Sequence, residues 1–177
     1  MTGQTARIWH AVAGAIVLGA LACNAGAQPS LEYAVKAEYL AKLSPFIDWP
    51  AGSFDSAAAP INLCLLGADP FGAVLDRAAG AEVLARVIAV RRLPSPDLAD
   101  SCHILYLGAA APALPEALGG RPVLTVSDSD AIPAMIQFVI RQNHVRFIID
   151  EDAARRAGLH ISAKLLALAI AVKRGPP

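Results

Sequence analysis

Apolar positions along this chain follow two different periods. From Leu31 to Ile47 they fall at Leu31, Ala34, Val35, Tyr39, Leu40, Leu43 and Ile47, the spacing of an amphipathic helix. Glu32, Lys36, Glu38 and Lys42 are expected on its wet side, Pro45 to kink or end it, and Trp49-Pro50 to close it. Beyond a small-residue loop from Gly52 to Pro60, short strand-like runs take over: Ile61 to Leu66, Arg86 to Leu93, Ile104 to Leu107 and Val123 to Val126. Helices are expected between them over Phe71 to Ala79 and around Pro112 to Leu118, with Asp69 as a cap and Pro70 at the first helical position. Strands separated by short helices imply a parallel sheet covered on both faces, which accounts for the apolar character of the first and third runs.

The pattern changes near the end. Met135 to Arg141 and Val145 to Ile149 are separated only by Gln142-Asn143-His144 and read as an antiparallel hairpin at a sheet edge. Asp150 can cap a helix that Gly158 stops, and a final helix is expected from Ser162 to Val172, buried because it is apolar almost all round. The predicted architecture is α/β: a mostly parallel sheet with an antiparallel edge hairpin and helices on both faces, a three-layer sandwich.

The start of the chain reads differently again. Arg7 precedes the apolar run Ala11 to Leu21, and Ala25-Gly26-Ala27 is a small-x-small cleavage pattern. Residues 1–27 are therefore expected to be a signal peptide and residues 28–177 a single domain. The apolar run is about half the ~20 residues that span a bilayer, so no membrane insertion is expected after cleavage. Cys23, after Ala20-Leu21-Ala22, offers a lipoprotein alternative, although the leucine stands one place later than that pattern usually has it. The whole chain carries 15 Lys/Arg against 15 Asp/Glu, and removing Arg7 with the leader leaves 14 against 15. Nothing in that balance favours nucleic acid or an anionic membrane surface.

Export gives the cysteines meaning. Cys64 and Cys102 each lie in or beside an apolar strand that ends on glycine, at Gly67 and Gly108, and the two strands are neighbours in the common order of such sheets. A secreted protein is expected to join two such cysteines. The alternative is a pair of reduced thiols packing as small hydrophobes.

Segments spread along the chain resemble the YfiR-like family of periplasmic regulators. They are Val35-Lys36-Ala37, Tyr39-Leu40, Phe46-Ile47-Asp48-Trp49-Pro50, Leu63 to Gly72, Cys102 to Tyr106, Pro122 to Asp128, Asn143 to Phe147, Asp152 to Leu159 and Ile161 to Leu166. The resemblance implies a periplasmic protein that binds the periplasmic sensing domain of an inner-membrane diguanylate cyclase and restrains it, lowering cyclic-di-GMP and opposing biofilm. It also supports the Cys64–Cys102 bridge. Two departures stand out. The second cysteine pair of the best-known relative is missing, and the glycine-rich entry to the Met135 strand is replaced by Ala131-Ile132-Pro133-Ala134.

No residue pattern points to catalysis. Cys102 and His103 are adjacent on a strand and so face opposite ways, and His103, His144 and His160 lack zinc spacing. There is no phosphate cradle or nucleophile elbow, and no metal or cofactor is expected. Asp69, Ser127 and Asp128 could form a ligand rim where the loops leave the carboxyl end of the sheet, the usual place for ligands of parallel sheets. Phe46 and Trp49 either anchor the first helix or face a partner. The expected function is regulatory binding of a membrane diguanylate cyclase or sensor kinase, with a small-solute receptor as the alternative and self-association into a homodimer left open.

Overall fold

The computed structural model describes residues 30–80, 86–114, 118 and 121–175. The expected leader and Cys23 lie outside these residues, as does part of the helix expected around Pro112 to Leu118. Seven strands form the main sheet in the order β3-β2-β4-β5-β6-β7-β9. They are β2 Ile61–Leu66, β3 Ile88–Leu93, β4 Ile104–Leu107, β5 Leu124–Ser127, β6 Ile136–Arg141, β7 His144–Asp150 and β9 Ala171–Lys173. All neighbours run parallel except β6 and β7. A second, two-stranded sheet pairs β1 Ile47–Asp48 with β8 His160–Ile161 and ties the end of the first helix to the last third of the chain.

The two faces of the sheet are covered unequally. Ile61, Leu63 and Leu65 of β2, Ile104 and Tyr106 of β4, Leu124 and Val126 of β5 and the alternate residues of β6 and β7 meet α1 Leu31–Lys42, α2 Ala73–Ala79, α3 Glu151–Arg156 and α4 Ala163–Leu168 in the larger core. Cys64, Leu66, Leu105 and Leu107 face the other way and meet a 3-10 helix over Pro96–Ser101, with Leu118 and Val123. This is the expected α/β sandwich, with one layer much thinner than the other.

Several boundaries move, each for a local reason. The first helix ends at Lys42, before Pro45, and the chain makes a 3-10 turn over Ser44–Phe46 and enters β1 at Ile47. Asp69 Oδ1 accepts from the N–H groups of Phe71 and Gly72 at 2.8 and 3.1 Å. That turn, with Gly72 at φ +50°, delays α2 to Ala73. In the hairpin, His144 pairs with Arg141, so the turn is the two residues Gln142 and Asn143, both at positive φ. Such a turn matches the twist of its strands. Asp150 caps α3 through Ala153 N–H at 2.8 Å, and Gly158 at φ +74° ends it, as expected.

The last segment overturns its prediction. Ser162 caps a helix of only six residues, Ala169 is extended, and Ala171–Lys173 form β9 beside β7. The hairpin is therefore one strand in from the edge. In α4 only Leu165 is buried, while Leu168 and Ile170 remain 63% and 46% exposed. A short all-apolar run has no period that separates helix from strand, and here the open edge of β7 takes the final residues into the sheet.

Candidate functional site

At the carboxyl end of the parallel strands the chain fills its own crevice. Lys36, expected in solvent, is 3% exposed. Its ammonium reaches 2.7 Å from Asp128 Oδ2 just past β5, bonds Glu32 one turn back, and lies 4.5 Å from the Tyr33 ring centroid. Asp128 Oδ1 accepts from the Tyr106 hydroxyl at 2.7 Å, and Tyr106 packs edge-on to Phe71 with centroids 4.8 Å apart. Burial disfavours the charge on Lys36, but the hydrogen bonds to Asp128 and Glu32 outweigh it and raise its pKa. For Asp128 burial likewise pushes the pKa up, and the bonds from Lys36 and Tyr106 overcome that and hold it low.

The other residues expected at a ligand rim are also engaged internally. The Ser127 hydroxyl is fully buried, donates to Leu107 O at 2.9 Å and accepts from Ser129 N–H. Asp69 Oδ2 pairs at 2.7 Å with Arg92, which also holds Asp76. The turns after β2 and β4 interlock. A Cβ on Gly108 would lie 2.0 Å from Ala68 O, and one on Gly67 would lie 2.8 Å from Ala111 N.

Open space lies at the opposite end. A cavity of about 520 Å³ at the amino ends of β2 and β4 is lined by the loop 52–60 and by Asn62, Asp100, Ser101, His103 and Arg121. Phe54 descends from that loop onto His103, with rings stacked at 4.3 Å and 8° apart, and the Arg86 guanidinium lies 4.1 Å from its centroid. Trp49 meets both rings edge-on, at 5.8 and 6.3 Å. His103 Nδ1 accepts from Asn62 N–H at 3.0 Å, which places the ring proton on Nε2, where it donates to Ser53 O at 2.9 Å. Burial lowers the His103 pKa, opposed by the bond to Ser53 and helped by the nearby Arg86 charge. A smaller cavity of about 280 Å³ adjoins Phe54 and is lined by Ser44, Asp48, Trp49 and Arg86. Ser44 Oγ and Trp49 Nε1 are buried there with no hydrogen-bond partner among the described residues.

Phe46 and Trp49 are half-buried against the larger core. Exposed apolar side chains lie elsewhere, at Leu31, Tyr39 and Ile140, around a groove of about 360 Å³ between α1 and the β6–β7 hairpin that Val35, Val145 and Arg146 complete. Cys64 and Cys102 are disulfide-bonded, Cα atoms 5.9 Å apart, joining β2 to the end of the 3-10 helix two residues before β4. The roles of Lys36, Phe54 and Arg86 had no signal in periodicity. His103 carries no catalytic or metal spacing in the sequence, and its place beside Cys102, next to the apolar run Ile104 to Leu107, is the one signal of its burial. A family profile described as YfiR/HmsC-like matches residues 33–170. No curated protein matches the chain.

Proposed function

We propose that this chain, which belongs to the YfiR/HmsC-like family, is an exported regulator that binds the periplasmic domain of an inner-membrane diguanylate cyclase and restrains it. One observation supports action through a surface: the crevice where parallel sheets usually hold ligands is filled by Lys36, Tyr106 and Asp128. The apolar side chains of Leu31, Tyr39 and Ile140 are meanwhile left in solvent. Residues 1–27 serve as the signal peptide and 28–177 as the working domain, fastened by the disulfide that an oxidising compartment preserves. Restraint is a population shift: the regulator binds the inactive arrangement of its partner more tightly, and the effect is bounded by that difference in affinity.

Deletion of the chain should raise cellular cyclic-di-GMP and surface attachment, and the exported protein should capture the cyclase's periplasmic domain. Unchanged cyclic-di-GMP after deletion would sink the proposal. Tyr39→Glu and Ile140→Glu test the groove, with Phe46→Ala and Trp49→Ala testing the aromatic pair as an alternative contact.

The cavity of about 520 Å³ at the amino end favours one other reading, a receptor for a small polar solute. Asp69, Ser127 and Asp128 would then be framework, and strong thermal stabilisation by a metabolite without any partner would support it.

A further inference from the structure

We infer that His103 is a proton-operated latch that holds the strap 51–60 across the amino end of the sheet. The strap's own turns are short-range, Ser53 N–H to Pro50 O and Ala59 N–H to Ser56 O. Among the described residues, two side chains from the body of the protein hold it by hydrogen bonds. Arg86 donates to Ser56 O and Ala59 O at 3.1 and 2.6 Å, and His103 donates to Ser53 O while stacking on Phe54.

The two ties respond differently to protons. Arg86 stays charged at every accessible pH. His103 fits its place only when neutral, because Nδ1 must accept from Asn62 N–H. Adding a proton to Nδ1 sets donor against donor, inside a site where the ring is 9% exposed. The charged groups around the ring do not reverse this. Arg86, across Phe54, opposes the new charge, exposed Asp55 favours it, and Asp100 and Arg121 on the far cavity wall pair with each other at 3.1 Å. An open strap frees the imidazole to meet water and take the proton.

The sign follows directly. A histidine whose pKa is lower when latched than when open leaves the latch intact above the open-state value near 6.5. As pH falls below it, the open form gains by up to about tenfold per unit, until the latched value is reached. Phe54 lines both amino-end cavities, so its withdrawal joins them and alters the surface there. This device stands independently of which partner the protein restrains.

The test uses the exported protein. Ring-nitrogen NMR should show His103 as the Nε2–H tautomer, titrating below the ordinary histidine value of 6.5. Hydrogen exchange of residues 52–60, corrected for intrinsic chemistry, should lose about tenfold protection between pH 7 and pH 5. His103→Asn keeps an acceptor for Asn62 N–H and should abolish that pH dependence. Should it fold poorly, Phe54→Leu uncovers the ring and should raise the His103 pKa towards its open-state value, shrinking the acid-driven loss of strap protection. A His103 that titrates at or above the ordinary histidine value of 6.5 would overturn the latch. So would strap protection that stays constant while His103 becomes charged.

Discussion

Lys36 carries its charge into a place that a helical-wheel reading reserves for solvent. Its ammonium has one partner on its own helix, Glu32, and one 92 residues away, Asp128, so a single side chain fastens α1 to the end of β5. Breaking one side of such a pair leaves an uncompensated buried charge. Lys36→Met should therefore cost about 3–5 kcal/mol, measured by urea unfolding. The double variant Lys36→Met with Asp128→Leu should recover much of that loss, because replacing a buried pair by apolar groups is often neutral. The Asp128 contribution is present above the ordinary carboxylate value of 3.8 and disappears as pH falls below it towards the lowered value. His103 acts earlier on the acid side, below about 6.5. Acid unfolding should accordingly show two losses of stability, and His103→Asn should remove only the first.

Among the elements, the disulfide encloses α2, β3 and the 3-10 helix between residues 64 and 102. Replacing both cysteines by alanine should lower stability by about 4 kcal/mol in the chain-entropy account, read from the shift in denaturation midpoint. The strands β2 to β5 were legible to within two residues at their ends, because short runs rich in apolar and β-branched residues, two of them closed by Gly67 and Gly108, leave little choice of structure. The hairpin was legible from its spacing, and α3 from Asp150 and Gly158. Lys36 was not, since a charged residue at a helical position carries no mark of a partner 92 residues ahead. Nor was β9: Leu165 to Val172 is apolar at every position but holds no register, and the unpaired edge of β7 decided its state. The ligand rim expected from Asp69, Ser127 and Asp128 rested on loop positions alone, whereas the uptake of these side chains within the fold depended on pairings across the sequence.

For the molecule as a whole, the unequal layers give it two unlike ends. At the carboxyl end Lys36, Asp128, Asp69 and Arg92 are paired within the fold, while the amino end has the larger cavity and a strap. Intact mass of exported material should correspond to a chain starting at Gln28 without an acyl group. A lipid-bearing Cys23 at the amino terminus would instead place the protein on a membrane surface. The interlocked turns at Gly67 and Gly108 make their own whole-molecule prediction. Gly108→Ala drives a methyl to 2.0 Å from Ala68 O and should destabilise by more than about 2 kcal/mol, seen as a lower melting temperature.

That interlock also bears on how the protein can diversify. Two loops that occupy each other's space cannot lengthen one at a time, so an insertion after β2 would require a compensating change after β4. The strap carries no such mutual constraint beyond Phe54 and its carbonyl anchors. Descendants of this chain would be expected to gain and lose residues between Ala51 and Pro60 while keeping the opposite rim at constant length.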